Sequence, residues 1–448
     1  MALLYFYIDL KFEATHLATP FWYNAALFLV KPLYKWRIKK RAENVDQLHL
    51  EMTERFGPFQ SVKNQHAIWF HAVSVGETNA AQPLIEHYLK LGQPVLVTNT
   101  TKTGQARVKS LFLKEPYLDL FQAVYLPADQ VHLVQKFYQE YQPKLLALVE
   151  TELWPNLIDQ AQKFNVPCLL INARLSEKSA QGYGKVPSLT RPMLNSLNQL
   201  LAQDQATLER FVQLGMPDEK VQVVGSIKFD ISAPAHFVEI AHQLHHAWNL
   251  SHRKVMTLAS THAPEEQNLL TALKPYLEQY PELVCIVVPR HPERFNEVFD
   301  VTQALELTTQ RRSLNEKIQS NTQVYLADSM GEMWLWYALS QACFVGGSLN
   351  EPGGGHNILE PIALQVPTIL GKNYLNFQTI VDEFVEANAI KVVDSADQAV
   401  EDLVQLVYDQ KLVTHLNSNA NQIMQQNKGS LQKHITEIDR YLAMTTGQ

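Results

Sequence analysis

From residue 45 onward, short hydrophobic runs alternate with longer segments of helical period. One series of β-rich runs covers Ile68–Ser74, Val95–Thr100, Leu145–Thr151, Cys168–Arg174, Leu200–Asp204 and Gln222–Ser226. A second covers Val255–Ser260, Val284–Arg290, Gln323–Asp328, Cys343–Ser348, Thr368–Gly371 and Ile390–Asp394. Segments such as Asn79–Leu91, Glu266–Tyr280 and Gly331–Ser340 place apolar residues at helical spacing between them. Strands that alternate with helices of this length predict parallel sheets built from βαβ units. About twelve strands exceed both an ordinary doubly wound sheet and the eight repeats of a TIM barrel. The pattern therefore predicts an α/β chain with two domains dividing near Ser226–Pro234.

The N-terminus follows a different pattern. From Ala14 to Val30 only the titratable His16 interrupts an uncharged run carrying Phe21, Trp22, Tyr23, Leu27, Phe28 and Leu29. Lys31, Lys35, Arg37, Lys39, Lys40 and Arg41 follow with no acid among them. Apolar and then basic is the order expected of a membrane-anchoring segment whose basic side stays cytoplasmic. The run falls short of the roughly 20 residues a spanning helix needs, and Pro20 and Asn24 weaken it further. A helix lying in the interface and an ordinary first helix packed on the globular body both remain open.

Composition narrows the classes. The chain has 448 residues, 46% of them apolar, and a formal net charge of −7, which disfavours general nucleic-acid binding. Its three cysteines lie far apart, with no metal-ligand spacing and no disulfide framework. No metal site and no cofactor is expected.

The polar and glycine-rich clusters fall at the carboxyl ends of the expected strands, where open α/β sheets bind ligands. In Gly353-Gly-Gly-His-Asn-Ile-Leu-Glu360 the glycines allow close backbone approach, and Asn357 is a good N-cap for a helix running through Ile358 and Leu359. That helix end is an expected anion site, and Glu360 is placed to accept from ribose hydroxyls. Arg290 ends an apolar strand, and its guanidinium suits a phosphate or carboxylate. Met330, Gly331 and Glu332 follow another strand and are candidates for reading a base or sugar edge. Glu77 stands at the start of an expected helix. It reads equally as a general base for an alcohol and as a stabilising acid at a helix terminus.

The clusters Ser74-Val-Gly-Glu77, Glu150-Thr-Glu-Leu-Trp-Pro155, Asn172-Ala-Arg174, Pro289-Arg-His291, Asp328-Ser-Met-Gly-Glu332 and Gly354-Gly-His-Asn-Ile-Leu-Glu-Pro361 closely resemble those of the Kdo (3-deoxy-D-manno-octulosonic acid) transferases of Gram-negative bacteria. The resemblance implies a GT-B fold, with two Rossmann-like domains facing across a central cleft. It implies CMP-Kdo as donor, a lipid A precursor as acceptor, and an inverting, metal-independent reaction at the cytoplasmic face of the inner membrane, among its lipids. It makes Glu77 the catalytic base and puts CMP contacts on Pro289, Arg290, Met330, Gly331 and Glu332, and on Asn357, Ile358, Leu359 and Glu360. Lys102, Arg174, Lys178 and Lys228 are candidate partners for acceptor phosphates or the sugar carboxylate, with Glu150 a further acceptor or sugar contact. The loop Leu349–Gly355 is about one residue longer than in some relatives. The expected organisation is then an anchor over 1–44, an acceptor-side domain over 45–226, a donor domain over 227–425 and a C-terminal helix over 426–448 packing back on the first domain. Three rivals have other chemistry: a UDP-sugar transferase, a nucleotide-sugar epimerase or hydrolase, and a non-catalytic nucleotide sensor.

Overall fold

The computed structural model describes residues 19–59 and 62–446, so the start of the uncharged run at Ala14 and the rest of the first eighteen residues lie outside the described residues. The chain divides into two compact units, Met1–Lys228 with Asn427–Gln448, and Phe229–Gln426.

In the first unit seven parallel strands, β1 (Ile68–His71), β2 (Val95–Asn99), β3 (Phe121–Tyr125), β4 (Leu145–Val149), β5 (Cys168–Ala173), β6 (Gln199–Ala202) and β7 (Val221–Val223), lie in the order β3-β2-β1-β4-β5-β6-β7. The strands are apolar on both faces because helices cover both. Along β1, Ile68 and Phe70 pack with Leu84, Ile85 and Tyr88 of the helix Val75–Lys90, while Trp69 turns to Phe137 and Tyr138 on the other side. The helix Ser430–Thr446 belongs to the same unit. Its Ile435 and Ile438 join the core beside β1, and its His434 accepts from the Asn172 amide at 3.0 Å.

The second unit repeats the plan with β8 (Lys254–Thr261), β9 (Leu283–Pro289), β10 (Thr309–Arg311), β11 (Val324–Leu326), β12 (Ala342–Val345), β13 (Thr368–Gly371) and β14 (Lys391–Val393). Their order is β10-β11-β9-β8-β12-β13-β14, all parallel. Two strands go beyond the sequence reading, β3 and β10, and both are outermost in their sheets. The residues of β10 are Thr-Gln-Arg, so no hydrophobic run marks it.

The helix Phe21–Arg41 lies on the first unit, tied down at its start. The buried Asp129 accepts from the Tyr23 hydroxyl at 2.8 Å and from the amides of Asn156 and Leu157 at 3.1 and 2.8 Å. Those amides open the helix Pro155–Lys163, whose own cap residue, Trp154, supplies no acceptor. A carboxylate from a neighbouring loop therefore satisfies donors left orphaned by the helix end. The opposite side of Phe21–Arg41 leaves Phe28, Leu29, Leu33 and Trp36 exposed. Among the described residues no helix is long and apolar enough to cross a membrane.

Asp129→Ala is expected to cost about 2–3 kcal/mol, because two buried amides and a hydroxyl lose their acceptor together. Tyr23→Phe removes one donor of the three and should cost about 1 kcal/mol or less. Denaturant midpoints of the two variants check the ordering.

Candidate active site

Within the first sheet the chain adds strands toward one edge up to β3 and then restarts at β4 on the other side of β1. The ends of β1 and β4 therefore part without a connecting loop between them, which is where such sheets take ligands. The segments leaving these two ends carry Glu77, Glu150 and Glu152.

Glu77 sits in the first turn of Val75–Lys90 in a capping box. Ser74 Oγ caps the helix by accepting from the Glu77 amide. Glu77 in turn accepts from the Val73 amide at 2.6 Å and from the Ser74 hydroxyl at 3.0 Å. The terminal-acid reading of Glu77 is thus physically present. Its consequence for basicity is opposite to the simple dipole argument. Burial raises the carboxyl to about 6, and the nearby Glu150 charge raises it too, while the Val73 and Ser74 hydrogen bonds and Lys228 pull it down. Desolvation outweighs the helix end.

Glu152, which sequence reasoning passed over, is perturbed more strongly. Burial raises it to about 7, aided by the Glu77 and Glu150 charges and opposed by a hydrogen bond from Trp154 Nε1 at 3.1 Å. His71 adds to this. Its Nδ1 lies 3.0 Å from the Thr98 carbonyl, which can only accept, so Nδ1 carries the proton. Burial lowers the imidazole to about 3, leaving a neutral ring whose Nε2 lone pair lies 3.9 Å from Glu152 Oε2. That contact is not an ion pair. Glu150 holds a left-handed backbone (φ 61°) that non-glycine residues rarely adopt, and its Oε1 meets Lys228 Nζ at 2.6 Å. Three carboxyl groups and one ammonium thus share the switch point.

The other candidates of this unit scatter. Lys102 donates to the Arg41 carbonyl at 2.7 Å and lies 3.5 Å from Glu43, so it fastens the end of Phe21–Arg41 rather than joining the carboxylates. Arg174 and Lys178 are exposed; Arg174 is tied to the Glu150 loop only through its carbonyl, which accepts from Thr151 Oγ1.

In the second sheet the order reverses between β8 and β12. The loop after β12 turns a row of amides inward, and an internal anion fills it. The buried Glu265 accepts from the amides of Gly347, Ser348 and Leu349 at 2.7, 3.0 and 2.9 Å and from that of His262 at 3.1 Å. Gly354 and Gly355 both donate to the Gly347 carbonyl. A Cβ on Gly353 would stand 2.5 Å from the Asn350 carbonyl oxygen, a backbone atom, so only glycine passes there.

The helix expected to begin at Asn357 starts later, spanning Leu359–Ala363 with Ile358 at its cap. Asn357 Oδ1 still accepts from the Leu359 amide at 3.1 Å, and its Nδ2 reaches Glu360 at 3.4 Å. Ile358 and Leu359 bury their side chains in the core, so they can offer a ligand only backbone. Among the described residues, the amides of His356, Asn357 and Ile358 have no protein acceptor. Burial raises Glu360, and the Asn357 contact partly offsets this.

Arg290 follows β9, of which Pro289 is the last residue; its side chain is exposed and has no ion-pair partner among the described residues. The neighbouring Arg294 is the one in a salt bridge, to Glu266 at 2.8 Å. Met330 is exposed and Gly331 adopts φ 83°. Glu332 is not free to read a base edge at rest. Arg312 holds it through two hydrogen bonds of 3.0 and 2.6 Å, and the Ser329 hydroxyl adds another. Burial pushes this carboxyl up, but Arg312 and Ser329 together bring it below the usual range.

Comparison with known proteins places both units. Residues 51–231 match the 3-deoxy-D-manno-octulosonic-acid transferase (kdotransferase) family, and residues 265–423 match the glycosyl transferases of group 1. With its two parallel α/β sheets, the chain is a glycosyltransferase of the GT-B class. A 3-deoxy-D-manno-octulosonic acid transferase of Haemophilus influenzae is 36% identical over 428 residues, covering 94% of this chain and 98% of the relative. One of Bordetella pertussis is 34% identical, covering 86% and 90%. The crystal structure of the C-terminal CMP-Kdo binding domain of WaaA from Acinetobacter baumannii is 57% identical over 43% of this chain and all of that domain, with a TM-score of 0.43. The chain belongs to the 3-deoxy-D-manno-octulosonic acid transferase family.

Glu77 and Glu152 titrate near 6 and 7 when folded, above their ordinary 4.5, so the native state holds extra protons between those values. The stability they contribute is full below about pH 4.5 and is lost as pH rises through about 7. Glu152→Gln stays neutral throughout. Relative to wild type it should gain about 1–3 kcal/mol on going from pH 4.5 to pH 8. Denaturant midpoints at the two pH values test this, and a difference that does not change with pH would show Glu152 ionising freely.

Proposed function

We propose that this enzyme transfers Kdo from CMP-Kdo to a lipid A precursor, lipid IVA, with Glu77 as general base, inversion at the anomeric carbon and no metal ion. The observation that carries this reading is a carboxyl group raised to about 6 at the switch point of the first sheet. A base with that pKa is mostly ionised near neutral pH and still takes up a proton readily. The acceptor hydroxyl attacks the anomeric carbon from the face opposite CMP and gives its proton to Glu77 as the new bond forms. The bond from that carbon to the phosphate oxygen breaks, and CMP leaves with the electron pair. One displacement of this kind inverts configuration. Lys228, held by Glu150, is the cation nearest this carboxylate group and a candidate for an acceptor phosphate.

On the donor side, the family motifs and the unpaired Arg290 support a site for the phosphate of CMP. Arg290 can meet the growing charge with two charge-assisted hydrogen bonds, and the amides of His356, Asn357 and Ile358 can add more. Met330 and Gly331 lie on the loop after β11 and Asn357 on the loop after β12; Glu360 is the acid offered to the ribose, while Glu332 would meet a base only after giving up part of its Arg312 contact.

A lipid acceptor and a site on the cytoplasmic face of the inner membrane are supported by the helix Phe21–Arg41. Its exposed Phe28, Leu29, Leu33 and Trp36 suit headgroup depth, and Lys31, Lys35, Lys39 and Lys40 suit anionic lipid. Beneath it lies a largely apolar cavity of about 490 Å³, lined by Leu27, Tyr34, Phe56 and Leu126 with Arg37 and Arg41 among its lining residues. An acyl chain of an anionic lipid fits that chemistry.

Because Glu77 also caps its helix, Glu77→Gln is the informative substitution, since glutamine keeps a capping box. It should leave the melting temperature within a few degrees of wild type and lower transfer from CMP-Kdo to lipid IVA by at least about a hundredfold. Mass spectrometry of the lipid product reads the transfer, and near-wild-type turnover would remove Glu77 from the mechanism. Arg290→Ala should weaken CMP binding about tenfold or more, read by calorimetry, with UDP binding more weakly than CMP to wild type.

A further inference from the structure

Beside Arg290 the second unit carries three imidazoles that the transfer mechanism does not use. His262 follows β8, and His356 lies in the glycine loop after β12. Their rings are almost parallel, 14° apart with centroids at 5.1 Å, and their Nε2 atoms are 2.8 Å apart. At that distance one Nε2 bears a hydrogen and the other accepts it, so one proton lies between two rings. His291 stands edge-on to His262 at 5.0 Å. Gly347, at φ 67°, makes room for the pair: a Cβ there would meet His356 at 3.1 Å and His262 at 3.2 Å.

The charges facing these rings are mostly positive. His262 faces His291, Glu266, Arg290 and Arg294, and His356 faces His262, Arg290 and His291. Glu266 is already engaged by Arg294 through two hydrogen bonds of 2.8 and 3.1 Å, and Glu265 by four amides. Both imidazoles are accordingly lowered, first by burial and then by their cationic neighbours, His356 to about 4. These surroundings therefore hold the pair neutral. A dianion bound at Arg290 reverses the sign of that field, and a hydrogen-bonded imidazole pair is built to accept a single added proton and share it.

We propose that His262 and His356 form one proton-sharing pair that takes up a proton from solvent when a phosphate monoester dianion binds beside Arg290. The inference rests on the reading that this loop receives the phosphate of CMP. The pair then adds a cation to the site only when an anion is present, and Gly347 is the residue that permits its packing. The phosphate remains a dianion throughout, and the proton stays on the imidazoles.

The test is calorimetric titration of the full chain with CMP between pH 7 and 8, where a phosphate monoester with a pKa near about 6 is already dianionic. Two buffers of different protonation enthalpy give the protons taken up on binding. Wild type should take up a fraction approaching one proton, with Kd rising up to about tenfold per pH unit. His356→Gln and His262→Gln should each bind CMP with no uptake and a flat pH profile, while His291→Gln keeps the uptake. Binding without proton uptake in wild type overturns the inference and leaves the CMP reading standing, as does uptake that vanishes only in His291→Gln. No binding of CMP at all overturns both.

Discussion

Reversal of strand order is the constraint from which the chemistry of each unit follows. A parallel sheet satisfies its backbone internally, and helices bury both its faces, so few places remain where polar side chains reach solvent from a rigid base. Where the chain stops adding strands on one side and resumes on the other, two adjacent strand ends send their loops apart. In the first sheet this happens between β1 and β4, and in the second between β8 and β12. The loops of those four strands carry Glu77, Glu150 and Glu152 in one unit and His262, Gly347 and His356 in the other.

The two sites manage charge in opposite ways. In the first, three acids crowd together against one lysine, and burial, aided by neighbouring carboxylate charge, raises Glu77 to about 6 and Glu152 to about 7. In the second, the acids are already engaged: Glu266 by Arg294, Glu332 by Arg312, and the buried Asp328 by Arg311 at 2.8 Å. What stays without an ion-pair partner there, among the described residues, is Arg290, beside the lowered imidazoles of His262 and His356.

Much of this was legible in the sequence, and what escaped follows a physical rule. Most strands carry an apolar run, so twelve of the fourteen were found; the polar edge strand β10 carries no hydrophobic signal, and the other edge strand, β3, was passed over although its Phe121, Ala123 and Val124 are buried. Glu77 was visible as a residue at a helix start, yet its raised pKa depends on burial and on Glu150 some seventy positions away, which local reasoning cannot supply. Glu152 was missed because the Glu-Thr-Glu pattern gives no hint that His71 and Trp154 enclose the second acid. Asn357 was read as the N-cap of a helix through Ile358 and Leu359, but the helix begins at Leu359 with Ile358 at its cap, and Asn357 Oδ1 reaches only the Leu359 amide. Lys102 was read as a candidate partner for acceptor phosphates or the sugar carboxylate; in the fold it donates to a distant carbonyl, that of Arg41.

Glu265 gives the glycine loop after β12 an unusual independence. Nests of backbone amides are commonly shaped around a bound phosphate. Here a carboxylate from the start of the helix Glu265–Gln279, which follows β8, occupies the concavity from within. The loop has its counter-ion built in, so its conformation is set when the chain folds rather than when a substrate arrives. Any ligand binding at this loop would meet a rigid rim, and the entropy of ordering those glycines would not be subtracted from its affinity.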